Sequence, residues 1–361
     1  MTLSVSTYES LDALPGAYSS LFDEAASGGF YLSRPWFDAL TATTLDAGDR
    51  VRIYGIEASD AAEAALIARA PRAEGRTGQM AMRALVGFST VYSPLFSVVG
   101  RPAANGAAMA AALATALAGE RPRWDCVHLK ALDPASPGFA CLARSLRDCG
   151  LIVQPYFGFG NWFEPTAGVS FEEYLARRPA ALVNTYRRKE KKLGKREDVR
   201  FRLYRDPADA EEGISAYERV YANSWKTPEP YPHFMPELIR TAARVGALRL
   251  GIVWIGDEPA AAQMWITWQG RSTIFKLAHD QRFDALSPGS VLNMWMMRHA
   301  LDVDRVFEVD FGVGDDAYKQ TWLTQRRERW GLLALNPRTP KGLLGIARHV
   351  AGRAAKRAFS R

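Results

Sequence analysis

The sequence predicts an α/β fold in two similar halves, and three observations carry that prediction. The chain has 361 residues, too many for one ordinary domain and few for three. Segments of period-2 hydrophobic alternation are interleaved with segments of helical periodicity along its length. The order of these segments also recurs. Each half reads as three strands, a Ser-Pro loop (Ser93-Pro94, then Ser287-Pro288), a helix, a strand, a helix and a strand. A hydrophobic content of 48% with 24% charged residues describes a globular chain with a sizeable core.

In the first half, GFYLSRPWFDAL places Ser33 to cap a helix, Pro35 in its first turn, and Trp36, Phe37 and Leu40 on one apolar face. Residues 51–56, 64–71 and 82–88 read as strands, the Ala-rich run 105–119 as a packed helix, and 124–130 as a strand. SPGFACLARSLRDCG reads as a helix ending at Gly150, and LIVQPYF as the next strand. GFGNWFEPTAG, 158–168, is rich in glycine and reads as a linker, which sets a boundary near residue 165.

In the second half, Ser170 caps FEEYLA, and RRKEKKLGKRE follows as a basic helix, either a solvated face or a phosphate-binding one. A strand, VRFRLY, and two helices come next. Strands 248–255, 259–268 and 272–280 are joined at Gly256-Asp257 and Gln269-Gly270, both hairpin signals. The loop QRFDALSPGS then leads into helix VLNMWMMRHALD, strand VFEVDF, a helix around YKQTWL and strand RWGLLALN. Met264, Trp265, Trp268, Met294, Trp295, Met296 and Met297 fall in this region and suit either a core or a bound fatty chain.

Several function classes lose support. The cysteines Cys126, Cys141 and Cys149 are odd in number and lack C-x-x-C spacing, so they read as reduced thiols. The histidines are scattered, and no metal site is expected. Neither G-x-x-x-x-G-K-[ST] nor a G-x-G-x-x-G after a strand is present, which argues against ATP and dinucleotides. The chain does not open on an export signal, and its apolar runs fall short of the roughly 20 residues that span a bilayer, so a cytoplasmic location is expected. The net charge is +7, yet residues 340–361 alone hold Lys341, Arg348, Arg353, Lys356, Arg357 and Arg361 with no acid. The body is therefore near neutral, which argues against a nucleic-acid partner. Leu343, Ile346, Ala347, Val350 and Ala354 recur at helical spacing among those cations. A basic amphipathic helix of this kind suits an anionic membrane surface, here the inner face.

Two stretches carry chemistry. The loop before VLNMW puts Ser287, Pro288, Gly289 and Ser290 at a helix N-terminus with Arg282 nearby. Free N–H groups and the positive end of the helix dipole make such a place a phosphate site; a plain cap by Ser287 with Pro288 at the first position is the other reading. FEVDFGVGDDAYKQTWL, 307–323, puts Glu308 and Asp310 on one face of a strand, breaks at Gly312 and Gly314, and reaches Tyr318 and Lys319. Asp310 can alternatively cap the turn through the Gly312 amide, and Asp315 reads as a helix cap.

The element order, together with FKLAHDQRFDALSPGSVLNMW and FEVDFGVGDDAYKQTW, resembles the GNAT acyltransferase superfamily. Within it, the resemblance is to the CelD/BcsL-like branch, related to the Fem peptidoglycan ligases. It covers about residues 170–335 by motif and 1–165 by architecture. It implies two tandem GNAT-like domains, 1–165 and 166–337, each a mixed, mostly antiparallel sheet flanked by helices, followed by a basic amphipathic tail, 338–361. It implies acyl-CoA as co-substrate, with no permanently bound cofactor, lying between two splayed strands. Arg282, Ser287, Gly289 and Ser290 are then the candidates for binding it, although QRFDALSPG stands where the family has Gln/Arg-x-x-Gly-x-Gly/Ala. Acyl transfer to an amine needs a base, an oxyanion donor and an acid for the leaving thiolate. His279 or Asp310 is the candidate base, with Glu308 beside it. The resemblance implies Tyr318 as the acid and Lys319 as a stabiliser of negative charge. The expected reaction is N-acylation of a membrane-associated, lipid-like amine, with a sphingoid-like long-chain amine leading. Exopolysaccharide-locus acetylation, transfer from charged tRNA and a non-catalytic assembly scaffold are the other readings.

Overall fold

A computed structural model describes residues 3–59, 61–72, 82–100 and 106–359, with side chains described as far as Ala351. The chain forms two compact units, Met1–Phe159 with Glu328–Arg361, and Gly160–Arg327.

The first unit opens with β1 (Leu3–Tyr8), α1 (Ala17–Ala26), α2 (Arg34–Thr43), β2 (Arg50–Ala58), β3 (Ala61–Ala70) and β4 (Ala84–Gly87). It continues with β5 (Val99–Gly100), α3 (Gly106–Gly119), β6 (Cys126–Leu132), α4 (Pro137–Asp148) and β7 (Ile152–Pro165), the last running on into the second unit. The second unit adds α5 (Phe171–Ala176), α6 (Ala180–Leu193), β8 (Val199–Tyr204), α7 (Ala210–Ala222), α8 (Phe234–Arg244) and β9 (Leu248–Ile255). Then come β10 (Glu258–Trp268), β11 (Arg271–His279), α9 (Pro288–Arg298), β12 (Glu308–Asp310) and α10 (Lys319–Trp322). β13 (Gln325–Leu335) leads back into the first unit, which α11 (Pro340–Phe359) completes. Residues 328–337, assigned by sequence to the second domain, thus belong to the first unit.

The strand order is β1-β2-β3-β4-β6-β13 in the first unit, with β5 on β3, and β7-β12-β11-β10-β9-β8 in the second. Among the described residues the pairs are antiparallel except for one parallel pair in each unit, β4 with β6 and β11 with β12. Parallel neighbours require a crossover, and α3 and α9 supply it. The sheet is therefore mixed and mostly antiparallel, as the sequence predicts.

Local chemistry accounts for the starts of the helices. Ser33 accepts the N–H of Trp36 at 3.3 Å with Pro35 in the first turn of α2, and Ser170 with Glu173 forms a full capping box on α5. The glycine-rich 158–165, expected to be a linker, is instead the end of β7. Its glycines answer to close approach: a Cβ at Gly160 would sit 2.6 Å from the Asp315 carboxylate. Met264, Trp265, Met294, Met296 and Met297 are buried core. Trp295 packs on Phe201 with ring centroids 5.5 Å apart.

α11 presents Leu343, Ala347 and Val350 to solvent, while Leu344 and Gly345 line a cavity together with Leu333 and Leu335 of β13. Among the described residues no helix is long and apolar enough to cross a membrane.

Candidate active site

The site begins with an irregularity in the second unit. β11 and β12 pair in parallel at Arg271–Thr273 with Glu308–Asp310, and pairing ends there. The register of β10 on β11 steps from Lys276 to Ile274 between Met264 and Trp265, so Phe275 is an extra residue on β11. A bulge of this kind bends its strand and increases the local twist. β11 continues along β10 to His279, whereas the chain after Asp310 turns through Gly312 at φ +58°. The two strands splay.

A cleft of about 260 Å³ occupies the gap. Leu277, Ala278 and His279 of β11 form one wall, with Gln263 behind them. Ser287, Gly289, Ser290 and Asn293 contribute the start of α9, and Phe311, Tyr318 and Trp322 the opposite wall. Trp225 and Asp284 complete the lining.

Two polar groups suited to proton transfer meet here. His279 Nε2 lies 2.7 Å from Asp284 Oδ1, and its ring packs on Trp225 with centroids 4.5 Å apart. Asp284 therefore orients the imidazole. Tyr318 is 46% exposed and lies edge-on to Phe311, centroids 5.8 Å apart. Partial burial, and secondarily the charge of Asp316, pushes the phenol up to about 12, so it keeps its proton at neutral pH. Ser287 has φ +51° and does not cap α9; its hydroxyl donates to the Asp284 carbonyl at 3.3 Å, and Pro288 takes the first helical position.

The other sequence candidates lie elsewhere. Asp310 is buried and occupied: Gly312 N–H donates to Oδ1 at 2.6 Å and Asn161 Nδ2 at 3.2 Å. Thr273 Oγ1 donates to its Oδ2 at 3.2 Å, where Arg327 also lies at 3.4 Å. Burial raises its pKa against the charge of Arg327. It is a turn cap held in a network, not a base facing the cleft. Glu308 is gripped in bidentate fashion by Arg327 at 2.9 and 3.1 Å.

Lys319 is 4% exposed and donates to the carbonyls of Val313 at 2.7 Å and Gly314 at 3.1 Å, with Asp316 at 3.2 Å. Burial lowers its pKa. Its three protons hold the 313–316 loop, so it does not face a reacting group. Arg282 pairs with Asp280 at 2.6 Å and Glu258 at 3.2 Å and does not line the cleft. Asp315 is not a helix cap; it accepts Trp162 Nε1 at 2.8 Å and pairs with Arg326 at 2.6 Å.

Asp284, Gln263, Asn293, Trp225 and Trp322 escaped sequence reasoning. A signal existed for two of them. Asp284 follows His279 closely in HDQRFD, and Asn293 interrupts an apolar helical run in VLNMWMM. Among the described residues no cluster of three His, Cys, Asp or Glu is set to hold a metal.

Residues 180–320 match the family described as Acetyltransferase (GNAT) domain. The chain carries a GNAT acyltransferase domain. Its reaction class is N-acyl transfer, which takes an acyl donor and an amine acceptor. No curated protein matches the chain. Solved structures resemble its fold at low identity. FemX aligns at TM-score 0.60 with 10% identity, covering 87% of this chain and 95% of its own. A tandem GNAT protein from the clavulanic acid biosynthesis pathway aligns at 0.50 with 12% identity, covering 91% and 98%. L-PGS from Bacillus licheniformis aligns at 0.50 with 13% identity, covering 88% and 96%. These likenesses establish the tandem GNAT-like fold.

Within the second unit the far wall of the cleft is anchored from behind. The Trp322 carbonyl accepts Tyr174 Oη at 2.9 Å and an Arg178 guanidinium N–H at 2.6 Å. Arg178 is paired with Glu164 at 2.8 Å, both side chains buried, and Glu164 also takes Thr324 N–H at 2.8 Å. A short helix such as α10 is not stable alone; this network holds it beside Tyr318.

Proposed function

We propose that the chain transfers an acyl group from an acyl-thioester, acyl-CoA, to the amine of a membrane-associated, lipid-like acceptor at the cytoplasmic face. One observation carries the reading: the cleft between splayed β11 and β12 joins an oriented imidazole, His279 with Asp284, to a protonated phenol, Tyr318. His279 takes the proton of the amine as it attacks the thioester carbonyl. The C–N bond forms, the C–S bond breaks, and Tyr318 gives its proton to the departing thiolate. The first-turn N–H groups of α9, at Gly289 and Ser290, meet the anionic part of the donor.

The acceptor class rests on α11. Leu343 and Val350, 53% and 60% exposed, lie with Ala347 on one helical face beside an exposed Arg348, the pattern of a helix that lies in a membrane interface. A sphingoid-like long-chain amine, giving a ceramide-type amide, fits that surface.

The test is incubation of the protein with acyl-CoAs of graded length and a long-chain amine in anionic vesicles. Mass spectrometry should show the amide, matched by free thiol. Transfer from charged tRNA in place of the thioester, or binding to a polysaccharide synthase without any transfer, would sink the proposal. Leu343→Asp with Val350→Asp should abolish sedimentation with anionic liposomes while turnover of a soluble short-chain amine persists; undiminished sedimentation removes α11 as the anchor.

A further inference from the structure

The first unit holds a cavity of its own, of about 380 Å³, between the sheet and α11. Strand register explains its floor. Leu333 and Leu335 stand two apart on β13 and share one face, and Leu335 pairs with Cys126 of β6. Cys126 pairs in turn with Ala84 of β4, two residues beyond Met82, which also lines the cavity. α11 forms the roof, and its start is fixed. Thr339 Oγ1 accepts the Gly342 N–H at 3.1 Å, and a Cβ at Gly342 would overlap the Asn336 carbonyl. Asn336 is itself tied to the carbonyls of Trp124 at 3.0 Å and Asp125 at 2.9 Å. Leu344 and Gly345 face the floor, and Lys341, Arg348 and His349 complete the lining.

Two properties of this lining select a ligand. The interior is apolar: Met82, Leu333, Leu335 and Leu344 supply it, and the Cys126 thiol stays neutral because burial pushes its pKa up to about 11. The charge is of one sign: Lys341 and Arg348 are cations, His349 can become one, and no carboxylate is among the described residues that line the cavity. Packed interiors leave few voids larger than a water molecule, whereas small-molecule sites run from roughly 300 to 1,000 Å³. We propose that this cavity binds a single-chain carboxylate amphiphile, a free fatty acid, with its alkyl chain on the leucines and its head group beside Arg348 and His349. The volume lies at the low end of that range, which suits one chain rather than the two of a phospholipid. Leu343, Ala347 and Val350, the face of α11 assigned to the membrane, do not line the cavity. A free carboxylate also lacks a good leaving group, so this ligand is not the acyl donor of the second unit.

The experiment is calorimetric titration of the full-length protein with octanoate, decanoate and dodecanoate below their micelle-forming concentrations. Binding should saturate at one molecule per chain, and affinity should rise about fourfold per added methylene until the cavity is full. Dodecyltrimethylammonium should bind on the order of tenfold more weakly, because its head then meets like charge, and added salt should narrow that difference. Leu344→Trp fills the cavity and should abolish binding while sedimentation with anionic liposomes persists. Leu343→Asp with Val350→Asp alters only the outer face and should leave dodecanoate binding intact. Should the tryptophan variant fail to fold, Arg348→Glu tests the head group, since it should lose the preference for the anion and keep the dependence on chain length. Equal affinity for the two head charges, binding that survives Leu344→Trp, absence of dodecanoate binding, or binding seen only with phospholipid vesicles overturns the proposal. Each of these outcomes leaves acyl transfer in the second unit untouched, and loss of transfer leaves this site standing.

Discussion

Among the described residues each unit has one parallel strand pair of matching length, and the two treat the space beyond that pair differently. In the first unit β4 and β6 pair at Ala84–Val86 with Cys126–His128. The following loop returns, Phe96 N–H bonds to the Ala131 carbonyl at 2.8 Å, and the buried Phe96 ring lies over Gly87. A Cβ at Gly87 would come within 2.7 Å of that ring. The gap is filled by packing. In the second unit β11 and β12 pair over the same short span, but the bulge at Phe275 and the turn at Gly312 leave the gap open, with His279 and Tyr318 on its walls. The crossover helices differ in keeping with this. α3 is GAAMAAALATALAG, without a side-chain amide, whereas α9 buries the unpaired Asn293. Shared topology does not make a site; an unfilled gap with polar groups turned into it does.

Four changes break or sharpen this contrast. The largest effect should come from importing the plug. Gly289→Phe puts a ring into the open cleft, and transfer should fall on the order of 10⁴-fold because the donor no longer reaches a reactive geometry. Normal turnover in that variant would mean the reaction lies elsewhere. Next, removing the natural plug with Phe96→Ala should cost about 3–5 kcal/mol of stability as a core cavity, read from denaturant unfolding. Activity per folded molecule should stay at the wild-type level; a matching loss of kcat would give the first unit a catalytic part.

Third, Tyr318→Phe should lower kcat about 10²-fold with little change in KM. With its pKa pushed up to about 12, the phenol stays protonated well above its ordinary 10.0. The pH–rate profile should therefore lack a tyrosine limb near 10, and a decline there assigns the proton donor to another group. The smallest effect belongs to Asp310→Asn. Its carboxylate accepts from Gly312, Asn161 and Thr273, so the amide mismatches one donor and costs about 1–3 kcal/mol, with kcat nearly unchanged. Burial raises the Asp310 pKa. That contribution to stability is present in full below the ordinary carboxylate value and is lost as pH rises through the raised value. The variant should flatten that part of the stability–pH curve, measured by urea unfolding; a collapse of kcat at full stability would restore Asp310 as the base.

Much of this was legible in the residues because it is local. Ser33 and Ser170 cap helices through their own side chains, and Gly256-Asp257 and Gln269-Gly270 turn hairpins by their backbone preferences. His279, Ser287, Gly289, Ser290 and Tyr318 flank strand ends and a helix start, places that periodicity locates, and the structure brings all five to one cleft. Asp310, Glu308, Lys319 and Arg282 looked equally suitable. What separated them is the partner each finds. Arg327, the Val313 and Gly314 carbonyls, and Asp280 with Glu258 engage those charges, and most of these partners are set by packing rather than by spacing in sequence.

The sequence by itself determined the α/β class, the repeated order of elements and the basic amphipathic tail, because hydrophobic period, caps and turn residues act over a few neighbours; the acyltransferase reading came from the resemblance of its motifs to a known family. Only the tertiary structure decided that the glycine-rich stretch 158–165 is a strand, that residues 328–337 join the first unit, and which polar side chains are left unengaged. Strand pairing and hydrogen-bond satisfaction depend on residues far apart in the chain, and they become definite only when the sheet has formed.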